Sequence, residues 1–146
     1  MTPTSPPPTI LFAEDDAGVR ETTTDLLSFT GAQVHTVSSG REAWEHLSRN
    51  RADLVITDVA MPDGDGYWLL ARIRGDERLR KTRVVLLSAH ALVQSISAGL
   101  DAGADAYLTK PFDPEHFIVA VQGYLAAVRE GRPLSPAQVD RPLPRP

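Results

Sequence analysis

Short unbroken apolar runs alternate with helical stripes along this chain. Thr9–Ala13 (TILFA), Leu54–Thr57 (LVIT) and Val84–Leu87 (VVLL) have no polar alternation, the pattern of strands covered on both faces of a parallel sheet. Gln33–Val37 and Ala106–Leu108 are weaker strand candidates. Between the runs, apolar residues recur at helical spacing. Val19, Thr23, Leu26, Leu27 and Thr30 make one stripe, and Ala43, Trp44 and Leu47 a second. Leu69, Leu70 and Ile73 make a third, Val93, Ile96 and Leu100 a fourth, and Phe117, Val121, Tyr124, Leu125 and Val128 a fifth. Five strands and five helices in strict alternation predict a doubly wound α/β fold. Its five-stranded parallel sheet is joined by right-handed crossovers, with helices on both faces.

Proline marks the ends of the pattern. Residues 3, 6, 7 and 8 are proline, as are 133, 136, 142, 144 and 146. Such segments bury too little apolar surface to offset chain entropy. Residues 1–8 and 132–146 are therefore expected to be disordered tails around a single folded domain, 9–131. A chain of 146 residues with 42% hydrophobic and 23% charged residues can build that core. The net charge of −4 argues against a nucleic-acid surface, which needs clustered Lys and Arg. The absence of cysteine excludes disulfides and thiolate metal sites. The opening MTPTSPPPT has no secretion-signal pattern, and no apolar run reaches the ~18 residues of a membrane span. The expected location is cytoplasmic.

In a doubly wound sheet the ligand crevice lies at the C-terminal ends of the strands. Strand one runs into Glu14-Asp15-Asp16, strand three into Asp58, strand four into Ser88-Ala89 and strand five into Thr109-Lys110-Pro111. Carboxylates gathered on one rim repel unless a cation balances them or a proton is shared. An all-oxygen set without His or Cys suits a hard divalent ion, Mg²⁺ or Mn²⁺. Taken alone, Glu14-Asp15-Asp16 reads equally well as a helix N-cap with flanking acids. Asp58 differs because it follows an apolar run directly, where an uncompensated charge is costly.

The stretch LVITDVAMPDGDG (54–66) admits two other readings, and spacing tests both. An EF-hand loop would put Met61 at its first ligand position and Arg72 where glutamate is required, so that reading fails. A haloacid-dehalogenase-type phosphatase would resemble D-x-D directly after a strand, but Ala60 stands at the second acidic position. Asp63 and Asp65 lie beyond Met61-Pro62 and are expected to shape the turn and start a helix at Gly66.

In this order and spacing, ILFAEDD, VITDVAMPDGDG, VVLLSAHA and GADAYLTKPF resemble the receiver domain of bacterial two-component response regulators. The resemblance covers about residues 9–130 and implies the flavodoxin-like strand order 2-1-3-4-5. Carried over by position, it implies that Asp58 is the phosphoacceptor and becomes an aspartyl phosphate. Asp15 would ligate Mg²⁺ directly and Glu14 through water, with Asp58 and the backbone carbonyl of Ala60 completing the set. Lys110 and Ser88 would bind phosphoryl oxygens, Asp16 would cap the first helix, and Lys110-Pro111 would be a cis peptide. Ser88 and Tyr107 would form the conformational switch, the tyrosine ring turning inward on phosphorylation.

The resulting expectation is a single-domain response regulator, since only a proline-rich segment follows Arg132. It would take its phosphoryl group from a histidine kinase or histidine phosphotransfer protein. It would signal to a protein target on the face formed by the fourth helix, fifth strand and fifth helix. It would not be an enzyme beyond its own phosphorylation and dephosphorylation. A non-phosphorylated interaction module of the same fold is the alternative, with a phosphatase third. The fourth helical pattern, LVQSISAGLDAG, has one charge, Asp101, and Gly99 in its middle, which predicts a pliable helix presenting Leu92 to a partner.

Overall fold

The expected alternation is realised throughout. The computed structural model describes residues 6–90 and 92–135, with the backbone of 137–138. The elements run β1 (Thr9–Ala13), α1 (Ala17–Ser28), β2 (Gln33–Val37), α2 (Gly40–Leu47), β3 (Leu54–Asp58) and α3 (Gly66–Gly75). They continue with β4 (Arg83–Ser88), α4 (Val93–Asp101), β5 (Ala106–Thr109), α5 (Pro114–Glu130) and β6 (Ala137–Gln138). All strand pairs are parallel, and β1 to β5 lie in the order 2-1-3-4-5. A two-residue strand, β6, extends the sheet beyond β5 to six strands.

Successive strand residues face opposite sides of the sheet, and the core divides accordingly. Ile10, Phe12, Leu54, Ile56, Val85, Leu87 and Leu108 pack under α1 and α5 with Leu27, Phe117, Val121 and Tyr124. Leu11, Ala13, Val55, Val84, Leu86 and Tyr107 face the other way, against Ala43, Leu47, Leu69, Leu70 and Ile73 of α2 and α3. This two-sided burial explains why the strands read as unbroken apolar runs.

Local chemistry starts the helices. Asp16, Ser39, Asp65 and Asp113 accept the backbone N–H three residues on, from Val19, Glu42, Trp68 and His116, satisfying donors that a helix leaves unpaired. Asp63 stands in the left-handed region at φ 54° and pairs with Arg41 at 2.9 Å, so both loop aspartates serve the turn. Helix α4 is the exception: Leu92, at its N-cap, makes no side-chain capping bond.

The expected tails differ from the structure in part. Pro8 accepts the Gln33 amide at 2.8 Å and so belongs to the folded unit. After α5, Leu134 is buried in the α1–α5 side of the core, and the Arg132 carbonyl accepts from Arg83 at 2.7 Å. A single leucine within a proline-rich stretch has no periodicity to reveal it. Residues 1–5, 136 and 139–146 of the expected tails lie outside the described residues.

Candidate functional site

The ends of β1, β3, β4 and β5 bring the expected residues to one rim. Asp58 is the last residue of β3 and is buried, pairing with Leu87 of β4 in register. Glu14 follows β1, is only 2% exposed, and accepts the Asp16 amide at 3.1 Å. Asp15 beside it is exposed. Carboxylate oxygens of Glu14, Asp15 and Asp58 lie within 4.8 Å of one another. Lys110, next after β5, reaches between them: its Nζ is 2.9 Å from Glu14 Oε1 and forms a closer ion pair with Asp58 Oδ1. The Lys110–Pro111 peptide is cis.

Backbone packing fixes Asp58 as firmly as charge does. Gly66, the first residue of α3, lies against the Asp58 carbonyl so closely that an added Cβ would stand 2.4 Å from it. The Thr57 hydroxyl donates to the same carbonyl at 3.0 Å. Ala60 lies two residues further on, exposed at the start of the loop.

The electrostatics are those of a crowded acid pair sharing one cation. Burial is the largest influence on Asp58 and raises its carboxyl to about 6; Lys110 opposes the rise and the Glu14 charge adds to it. Burial alone would also raise Glu14, but the Lys110 ammonium and the Asp16 amide outweigh it, so Glu14 lies below the ordinary carboxylate range. Burial would lower Lys110, yet its two carboxylate partners hold its pKa up, so it stays charged.

Three clustered carboxylate oxygens with no nitrogen or sulfur donor fit a hard divalent cation. Glu14, Asp15 and Asp58 would hold it, and such an ion would balance the negative charge that they gather on this rim.

Ser88 ends β4 and is buried, its Oγ accepting the His90 amide at 3.1 Å. Tyr107 is 2% exposed and donates its hydroxyl to the His90 carbonyl at 2.9 Å. Its ring lies against Gly99 of α4, where an added Cβ would stand 2.8 Å from Cδ2 and 3.1 Å from Cε2. The mid-helix glycine therefore marks a close approach between helix and ring. Sequence reasoning missed His90 and this contact, since neither periodicity nor spacing signals them. Leu92, expected to face a partner, is 61% exposed, and Val93 beside it 72%.

Comparison with known proteins places these features in a family. Residues 10–122 match the response regulator receiver domain. The chain is 36% identical over 121 residues to the response regulator Rre1 of Synechocystis, covering 82% of this chain and 52% of that protein. It spans about half the length of the curated relatives it matches. Among solved structures, it resembles the signal receiver domain of a signal transduction histidine kinase from Syntrophus aciditrophicus. That match has 36% identity and a TM-score of 0.76, covering 84% of this chain and 92% of that one. The chemotaxis response regulator CheY4 of Vibrio cholerae matches at 27% identity with TM-score 0.76, covering 82% of this chain and 99% of that one. With family match, strand order and acidic rim in agreement, this chain belongs to the response regulator receiver domain family.

Proposed function

We propose that Asp58 accepts a phosphoryl group from a phosphohistidine on a histidine kinase or phosphotransfer protein. A carboxylate oxygen of Asp58 forms the new O–P bond as the N–P bond to the partner's imidazole breaks. The imidazole leaves with the electron pair, and an acyl phosphate remains. Lys110 stabilises the transferred oxygens by charge, and Ser88 donates its hydroxyl to one of them. Glu14, Asp15, Asp58 and the Ala60 carbonyl would hold Mg²⁺ or Mn²⁺, whose charge would offset that of the transferred oxygens. The single observation that carries this reading is Asp58, a buried carboxylate at a strand end beside Lys110 and within 4.8 Å of two further carboxylates. Such transfer depends on positioning and charge neutralisation more than on covalent help from the protein.

In this reading the phosphorylated state is favoured by a contact that it alone makes, from Ser88 to the phosphoryl group, and by the inward position of Tyr107, the buried position with its hydroxyl on the His90 carbonyl. The protein target docks on the α4–β5–α5 face, where Leu92, Val93 and Val119 are exposed. No helix among the described residues is long and apolar enough to cross a membrane. The test is incubation with Mg²⁺ and acetyl phosphate. A labile adduct that Asp58→Asn abolishes is expected. No adduct would favour a non-phosphorylated interaction module, and sustained multiple-turnover phosphate release a phosphatase.

A further inference from the structure

Gly99 is the one buried residue of α4, and it is the point where the helix crosses the Tyr107 ring. Alanine is the better helix former, so helix stability alone gives no reason for glycine. A Cβ there would meet Tyr107 Cδ2 at 2.8 Å, Cε2 at 3.1 Å and Leu86 Cδ1 at 3.2 Å, all inside the distance where carbon contacts become repulsive. Relieving the contact by moving the ring gives up the bond from its hydroxyl to the His90 carbonyl at 2.9 Å.

We propose that Gly99 is a positioning residue of the switch: its missing side chain makes the room into which Tyr107 turns, so the inward ring and α4 can be packed together only with glycine there. The inference rests on the reading that phosphorylation favours the inward ring. His90 joins the two halves, its N–H bonded to Ser88 Oγ and its carbonyl to Tyr107. A substitution that lowers the fraction of chains with the inward ring lowers in proportion the apparent affinity of a ligand that requires it.

The test uses the full chain with beryllofluoride and Mg²⁺ as the phosphoryl mimic. Tyr107 is followed by ¹⁹F resonances of 3-fluorotyrosine at the chain's three tyrosines. Gly99→Ala is expected to move the Tyr107 resonance in the ligand-free chain and to weaken beryllofluoride binding about tenfold. In a Tyr107→Leu background the added methyl has room, so Gly99→Ala should leave the affinity as it was. Should Gly99→Ala alone fail to fold, recovery of a folded chain in the double variant supports the same packing. Unchanged resonance and affinity in Gly99→Ala overturn the proposal, as does a loss that persists in full with Tyr107→Leu. A wild-type Tyr107 resonance indifferent to beryllofluoride overturns the switch reading and the proposal together, while leaving the Asp58 adduct to be judged on its own.

Discussion

Replacing Asp58 by asparagine is expected to stabilise the metal-free protein. The substitution keeps the shape of a buried side chain and removes a charge that the fold tolerates poorly. Asp58 titrates at about 6 against an ordinary value of 3.8, so the folded state prefers its protonated form. At 1.36 kcal/mol per unit, that displacement corresponds to about 3 kcal/mol of destabilisation once the group is ionised. Glu14 competes with it for the Lys110 ammonium, so the expected gain is about 1–3 kcal/mol near neutral pH.

The sign follows from proton binding. The folded pKa lies above the unfolded one, so between 3.8 and about 6 the folded chain holds the extra proton. Wild-type stability therefore falls, relative to Asp58→Asn, as pH rises through that window, and the gap is constant above it. Glu14 shifts in the opposite direction, which is why the difference between the two chains is the quantity to read. Urea unfolding followed by circular dichroism, with EDTA present, measures it. Saturating Mg²⁺ should close or reverse the gap, because a cation bound only to the native wild type adds stability by mass action. An Asp58→Asn chain no more stable than wild type near neutral pH in EDTA, or a difference flat across the window, would refute the reasoning.

Lys110→Ala is expected to cost about 3 kcal/mol in EDTA, because it leaves Glu14 and Asp58 buried against each other without their cation; Mg²⁺ should restore part of the loss in urea titrations. His46 stacks on His35 at 4.0 Å, and burial, with the His35 charge, lowers its pKa. Its folded pKa lies below the unfolded value, so stability falls as pH drops through 6.5 and is unaffected above; His46→Gln should remove that component of the pH–stability curve. Leu134→Ala is expected to cost about 2 kcal/mol, near the low end for a buried leucine because the site lies at the margin of the core. Loosening that anchor should also speed amide exchange at the Leu108 edge of β5, where β6 pairs.

Much of this molecule is legible before folding because its strands are buried on both faces. Leu54–Thr57 and Val84–Leu87 leave no polar alternation, so their strand character and their place in a parallel sheet follow from the pattern alone. Crossover topology then assigns Asp58, Ser88, Lys110 and Glu14 to one rim, since each stands at or just after a strand's last residue. What the chain order could not supply is which groups touch. Lys110 and Glu14 are 96 residues apart, and only the sheet puts that ammonium within 2.9 Å of one carboxylate and against a second. Gly99 reads along the chain as a weak point in a helix; its meaning lies in a ring eight residues away that α4 must clear. Leu134 reads as part of a proline-rich tail, yet the cleft beside α5 buries it. Hydrophobic period and strand-end chemistry are local properties and survive in one dimension. Close packing and the sharing of one cation between acids arise only when distant segments compete for the same space.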